Sequence, residues 1–89
     1  MIEKKITIIN KLGLHARAAA KLVNTASAHG AEVLIRKNGQ EVNGKSIMGV
    51  MMLAASCGTE IDLITNGKEE QQAMDALVAL IEDRFGEGE

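Results

Sequence analysis

The chain has 89 residues, 46% of them hydrophobic, with one phenylalanine and neither tryptophan nor tyrosine. That length supports one domain, residues 1–89, with an aliphatic core, and leaves too little chain for a large cleft between lobes. A formal net charge of −2 supplies no basic field for nucleic acid, and without aromatic rings base stacking has no platform.

In chain order, "IEKKITIIN" places Ile2, Ile6 and Ile8 on one parity and Glu3, Lys5 and Thr7 on the other, the pattern of a half-buried strand. After the loop "KLGL", Ala19, Leu22, Val23 and Ala26 recur at helical spacing, and His29-Gly30 ends that first helix, with His29 read as a cation at its C-terminus. "AEVLIRK" is a β-branched strand, Asn38-Gly39 a hairpin turn, and "QEVN" the returning strand. "SIMGVMMLAAS" is a short second helix capped by Ser46. "TEIDLIT" alternates again with Ile61 and Leu63 inward, and Asn66-Gly67 turns the chain. Met74, Leu77, Val78, Ile81 and Phe85 then form one stripe of a third helix whose acidic remainder faces solvent.

The order is β-α-β-β-α-β-α. Strands with one polar face and amphipathic helices are both satisfied by a single, mostly antiparallel sheet with every helix on one side, an open-faced two-layer α/β sandwich. Cys57 is the only cysteine, so no internal disulfide forms; it reads as a small buried or half-buried hydrophobe. With no signal peptide and no apolar run of spanning length, a cytoplasmic protein without membrane insertion is expected. No metal or cofactor is expected.

"GLHARAAAKLV" places His15 where the first helix begins, although serine, threonine or aspartate would cap better. The first N–H groups of a helix lack intrahelical acceptors and, with the macrodipole, form an anion site; here they belong to Ala16, Arg17 and Ala18. The same positive end favours a neutral, nucleophilic ring. A phosphoryl group on that ring would meet those N–H groups and the guanidinium of Arg17. His15 is therefore a candidate nucleophile toward phosphate, against the plainer reading of an exposed loop residue; spacing alone does not decide between them.

"GQEVNGKS", Gly39 to Ser46, matches the phosphate-loop pattern G-x-x-x-x-G-K-[ST] letter for letter. That motif needs a buried parallel strand before it and a helix after it, whereas Gly39 here closes a hairpin and "QEVN" is its second strand, so nucleotide binding is rejected. Ser46 is first of all a cap, yet an accessible hydroxyl there could also carry phosphate, which suits the helix dipole and plants negative charge on the neighbouring surface. Ile47, Met48, Met51 and Met52 are read mostly as core, with one or two facing out as a docking surface for partners.

"GLHARAAAKLV" together with "VNGKSIMGVMMLAA" resembles the HPr family, the histidine-containing phosphocarriers of the phosphoenolpyruvate-dependent phosphotransferase system, and the likeness spans essentially the whole chain. The resemblance implies four antiparallel strands in the order 1-4-2-3 with three helices on one face. It implies that Enzyme I passes a phosphoryl group to Nδ1 of His15, that Arg17 steadies it, and that an IIA-type protein receives it. It implies docking through Ile47, Met48 and Met51, and regulation at Ser46 by a kinase and phosphorylase where these are encoded. The carrier is then a substrate of other enzymes rather than an enzyme, and a monomer is expected. Ala18 stands where the family often has proline, and Asn24 and Ser27 stand where many sugar-system members carry basic residues. The wording is also close to the nitrogen-related NPr branch, so sugar and nitrogen branches both stay open. A non-catalytic binding module is the alternative from another class.

Overall fold

The computed structural model describes all residues, 1–89. Its elements are β1 (Ile2–Thr7), α1 (Ala16–Ser27), β2 (Ala31–Lys37), β3 (Gln40–Asn43), α2 (Ile47–Met52), β4 (Glu60–Gly67) and α3 (Glu70–Glu82), followed by a short 3-10 turn, Arg84–Gly86. The strands form one antiparallel sheet in the order β1-β4-β2-β3, with β4 flanked by β1 and β2. Ile6 stands opposite Ile61, and Ile35 opposite both Leu63 and Val42, so the inward parities of neighbouring strands coincide.

Against that face lie the apolar stripes of the helices: Ala18, Ala19, Leu22, Val23 and Ala26 from α1, Val50 from α2, and Met74, Leu77 and Ile81 from α3. The opposite face carries exposed cross-strand pairs, Lys5 Nζ to Asp62 at 3.5 Å and Arg36 to Glu41 at 3.2 Å. Such exposed pairs stabilise little; their main effect is to keep this face wet. Ile64 breaks the alternation of β4: it shares the parity of Asp62 yet is buried, because a central strand is covered by neighbours on both sides.

The hairpin between β2 and β3 turns at Asn38 and Gly39, whose φ values of 50° and 81° suit a primed two-residue turn. The phosphate-loop look-alike therefore lies on the β3 strand and the turn into α2, with no nucleotide-type strand before it.

Four expectations need correction. Phe85 is fully buried but does not extend α3, which ends at Glu82; Arg84 and Phe85 both take φ near 54° and turn the ring back to the core. Its spacing from Ile81 mimics another helical turn, which is why periodicity alone misplaced it. Cys57 is exposed, in the surface turn before Gly58, with its thiol 3.7 Å from the Ile9 carbonyl oxygen. Ile47, Met48, Met51 and Met52 all face solvent, since a two-turn helix offers the core only one narrow side, and Val50 takes it. The His29 side chain is no cap: Ala28 is the C-cap of α1, His29 adds only its backbone N–H, to Ala26 O at 3.4 Å, and its ring lies 3.6 Å from Glu69.

Candidate functional site

The loop into α1 is fixed by backbone bonds to the segment before β4. Ile8 N–H donates to Thr59 O at 2.8 Å, and Leu14 N–H donates to Ala55 O at 2.8 Å. Gly13 has a φ of +67°, and a Cβ there would fall 2.6 Å from Ala55 O, so only glycine lets the loop press this closely. Leu14 is buried, which anchors the residue immediately before His15.

His15 is the N-cap of α1, with extended backbone (φ −73°, ψ 177°). Its carbonyl accepts the first helical bond, from Ala19 N–H at 2.8 Å, so the N–H groups of Ala16, Arg17 and Ala18 precede the helical ladder. The ring makes no capping bond and is 29% exposed. The histidine thus sits at the helix start, and solvent reaches its ring.

Its ring partner is one that sequence reasoning missed. His15 Nε2 is hydrogen-bonded to Glu87 Oε2. The other oxygen of Glu87 accepts from Asn10 Nδ2 at 3.0 Å, and the same Asn10 amide donates to Gly13 O at 2.8 Å. Asn10 is fully buried. The Asn10 and His15 hydrogen bonds hold the Glu87 carboxyl below the usual glutamate range, opposing a smaller effect of burial. Nothing in the sequence signals this contact, because 72 residues separate Glu87 from His15.

Arg17 is exposed and makes no ion pair within the chain. With His15 it lines a surface depression of about 670 Å³, shared by Lys11, Lys21, Glu87 and Glu89. Of the predicted backbone donors, Ala16 borders the depression while Ala18 is buried with its methyl in the core. Three cations, Lys11, Arg17 and Lys21, and two carboxylates, Glu87 and Glu89, thus share a depression at the N-terminus of α1.

Ser46 is the N-cap of α2, its Oγ accepting from Gly49 N–H at 3.2 Å. Beside it Ile47, Met48 and Met51 are 44%, 75% and 43% exposed. None of these four lines the His15 depression; they form a separate patch on α2, which packs beside α1.

Comparison with known proteins gives a consistent result. The family described as PTS HPr component phosphorylation site matches residues 2–83. The phosphocarrier protein HPr of Cupriavidus necator is 58% identical over 89 residues, covering all of both chains. HPr-C-His from Thermoanaerobacter tengcongensis superposes with a TM-score of 0.95 at 48% identity, covering 98% of each chain. An HPr dimer from the same organism gives a TM-score of 0.79 at 48% identity, covering 98% of this chain and 100% of that one.

Proposed function

Because the chain belongs to the HPr family of phosphocarrier proteins, we propose that His15 is the residue on which it carries the phosphoryl group. The protein is a phosphocarrier of the phosphotransferase system and not a catalytic enzyme, and its relatives do not favour the nitrogen-related branch. No helix is long and apolar enough to cross a membrane.

One observation carries the assignment: a partly exposed imidazole at the N-cap of α1, free of any capping bond, beside an unpaired guanidinium. Nδ1 attacks phosphorus on phospho-Enzyme I, and an IIA-type protein later takes the group from it. Arg17 and the first N–H groups of α1 offset the charge of the phosphoryl oxygens during both transfers. Positioning and charge account for such chemistry, so a small carrier domain over residues 1–89 suffices.

The apolar patch of Ile47, Met48 and Met51 docks the two partners in turn, adaptable methionine surface suiting more than one of them. Ser46 lies at the edge of that patch, where phosphate from a dedicated kinase would hinder docking and a phosphorylase would restore it. The carrier works in the cytoplasm as a monomer, although a related HPr also forms a dimer.

The test is incubation with Enzyme I and phosphoenolpyruvate. The wild type acquires an acid-labile, base-stable phosphoadduct and His15→Ala acquires none; equal labelling of His15→Ala would overturn the assignment.

A further inference from the structure

We infer that Glu87 is a positioning residue for His15: its carboxylate, anchored by the buried amide of Asn10, keeps the ring proton on Nε2 and leaves Nδ1 as the bare nucleophile. The inference rests on His15 being the carrier residue and extends that reading to the group which decides the nitrogen that reacts.

The hydrogen-bond chain leaves one self-consistent arrangement. The Asn10 side chain faces Gly13 O and Glu87 Oε1, both acceptors, so the atom between them is the amide nitrogen. Asn10 is fully buried and cannot swing away, which fixes Glu87 Oε1 and aims Oε2 at the ring. A carboxylate only accepts, so the ring nitrogen facing it must carry hydrogen. With the ring neutral, its one proton is then on Nε2 and the lone pair is on Nδ1.

The transfer balances without proton movement. The Nδ1 lone pair forms the N–P bond while the bond from phosphorus to the donor breaks, its electron pair staying with the donor. Nε2 keeps its proton, so the ring gains imidazolium character as phosphate arrives. Glu87 is the counter-charge to that ring, while Arg17, unpaired, lines the same depression together with Lys11 and Lys21, which are held by Glu89 and by the Phe85 carbonyl. On delivery to the acceptor the pair returns to Nδ1. The remaining acid of the depression, Glu89, is held by Lys11, its Oε2 3.7 Å from the lysine Nζ, and has no contact with the ring.

Glutamine at position 87 has nearly the shape of glutamate but cannot satisfy both neighbours. Its amide N–H2 must face either the Asn10 donor or His15, and in the second case it calls for an unprotonated Nε2 and moves the proton to Nδ1.

The experiment measures ring nitrogen resonances of the full chain at alkaline pH, together with the initial rate of labelling by Enzyme I and phosphoenolpyruvate. The share of Nε2–H should fall in the order wild type, Glu87→Ala, Glu87→Gln, the tautomer ratio changing on the order of tenfold across the series. Labelling should slow by roughly tenfold in Glu87→Gln, while Glu32→Gln, an exposed carboxylate on β2 outside the depression, matches wild type in both readouts. An unchanged tautomer ratio in both position-87 variants, or unchanged labelling despite a changed ratio, would overturn the inference. A wild type that takes no label would overturn the carrier reading instead, and the resonances would still show whether Glu87 sets the proton's place.

Discussion

Lys21 Nζ donates to the carbonyl oxygen of Phe85 over 2.6 Å, tying the second turn of α1 to the turn that follows α3. The bond crosses from the helix that bears His15 to the segment that brings Glu87 under the ring. Phe85 is the chain's only aromatic residue and is fully buried, so it is the anchor of that segment. Phe85→Ala should cost about 3–5 kcal/mol, from the lost transfer free energy and the cavity left behind. A urea titration reads this as a lowered midpoint; a change below about 1 kcal/mol would mean that the ring is not packed as described.

Gly13 shapes the loop that delivers His15 to its helix. Gly13→Ala must place a methyl 2.6 Å from Ala55 O while holding φ near +67°. We expect a loss of about 2 kcal/mol or more, combining left-handed strain with displacement of a backbone carbonyl. Labelling at His15 should slow as well, since the loop cannot keep both its bond to Ala55 and its course into α1. Thermal unfolding alongside the labelling assay checks both effects.

Arg17 is exposed and unpaired, so its removal should leave the fold intact. Arg17→Ala is expected to slow phosphoryl acceptance on the order of 10², the scale for losing one donor to developing oxyanion charge. Unchanged rates with an unchanged melting curve would remove Arg17 from the mechanism.

Ser46 separates a structural effect from a docking effect. Ser46→Ala loses the cap bond from Gly49 N–H and should destabilise by about 1 kcal/mol. Ser46→Asp keeps a good capping group at the same position and should retain stability, yet weaken binding to Enzyme I through negative charge beside Ile47 and Met48. Denaturation curves and a calorimetric titration against Enzyme I distinguish the two variants. Equal affinity of Ser46→Asp and wild type would count against docking at this patch.

Two carboxylates make stability depend on acid. Glu70 is held below the usual glutamate range chiefly by the Gly67 N–H, 3.1 Å from Oε1, and then by the N-terminal ammonium. Glu87 is held below it by Asn10 and then His15. A group whose folded pKa lies below its unfolded one stabilises the fold above the unfolded value, and this contribution disappears as pH falls through the folded value. Stability should therefore decline as pH drops through and below the ordinary glutamate range. Glu70→Gln and Glu87→Gln should each flatten that decline when chemical unfolding is followed at several acidic pH values; curves parallel to wild type would contradict it.

The sequence by itself determined the parts whose signals are local. Parity placed Ile6, Ile61 and Leu63 inward, Asn38-Gly39 announced its hairpin, Ser46 its cap, and His15 its place at a helix start. Each follows from neighbours a few residues apart, where hydrogen-bond geometry and periodicity act directly. Only the tertiary structure decided how the end of the chain completes the site. The spacing from Ile81 to Phe85 suits a continuing helix, but left-handed turns at Arg84 and Phe85 fold the tail over α1. That course unites Asn10, His15, Lys21 and Glu87. The packing also left four of the five apolar residues of α2 in solvent and buried only Val50, because the length of that helix and the space beneath it, rather than hydropathy, set how many can be buried. Contacts between residues some seventy positions apart are set by packing of the assembled core, and no spacing rule within the chain encodes them.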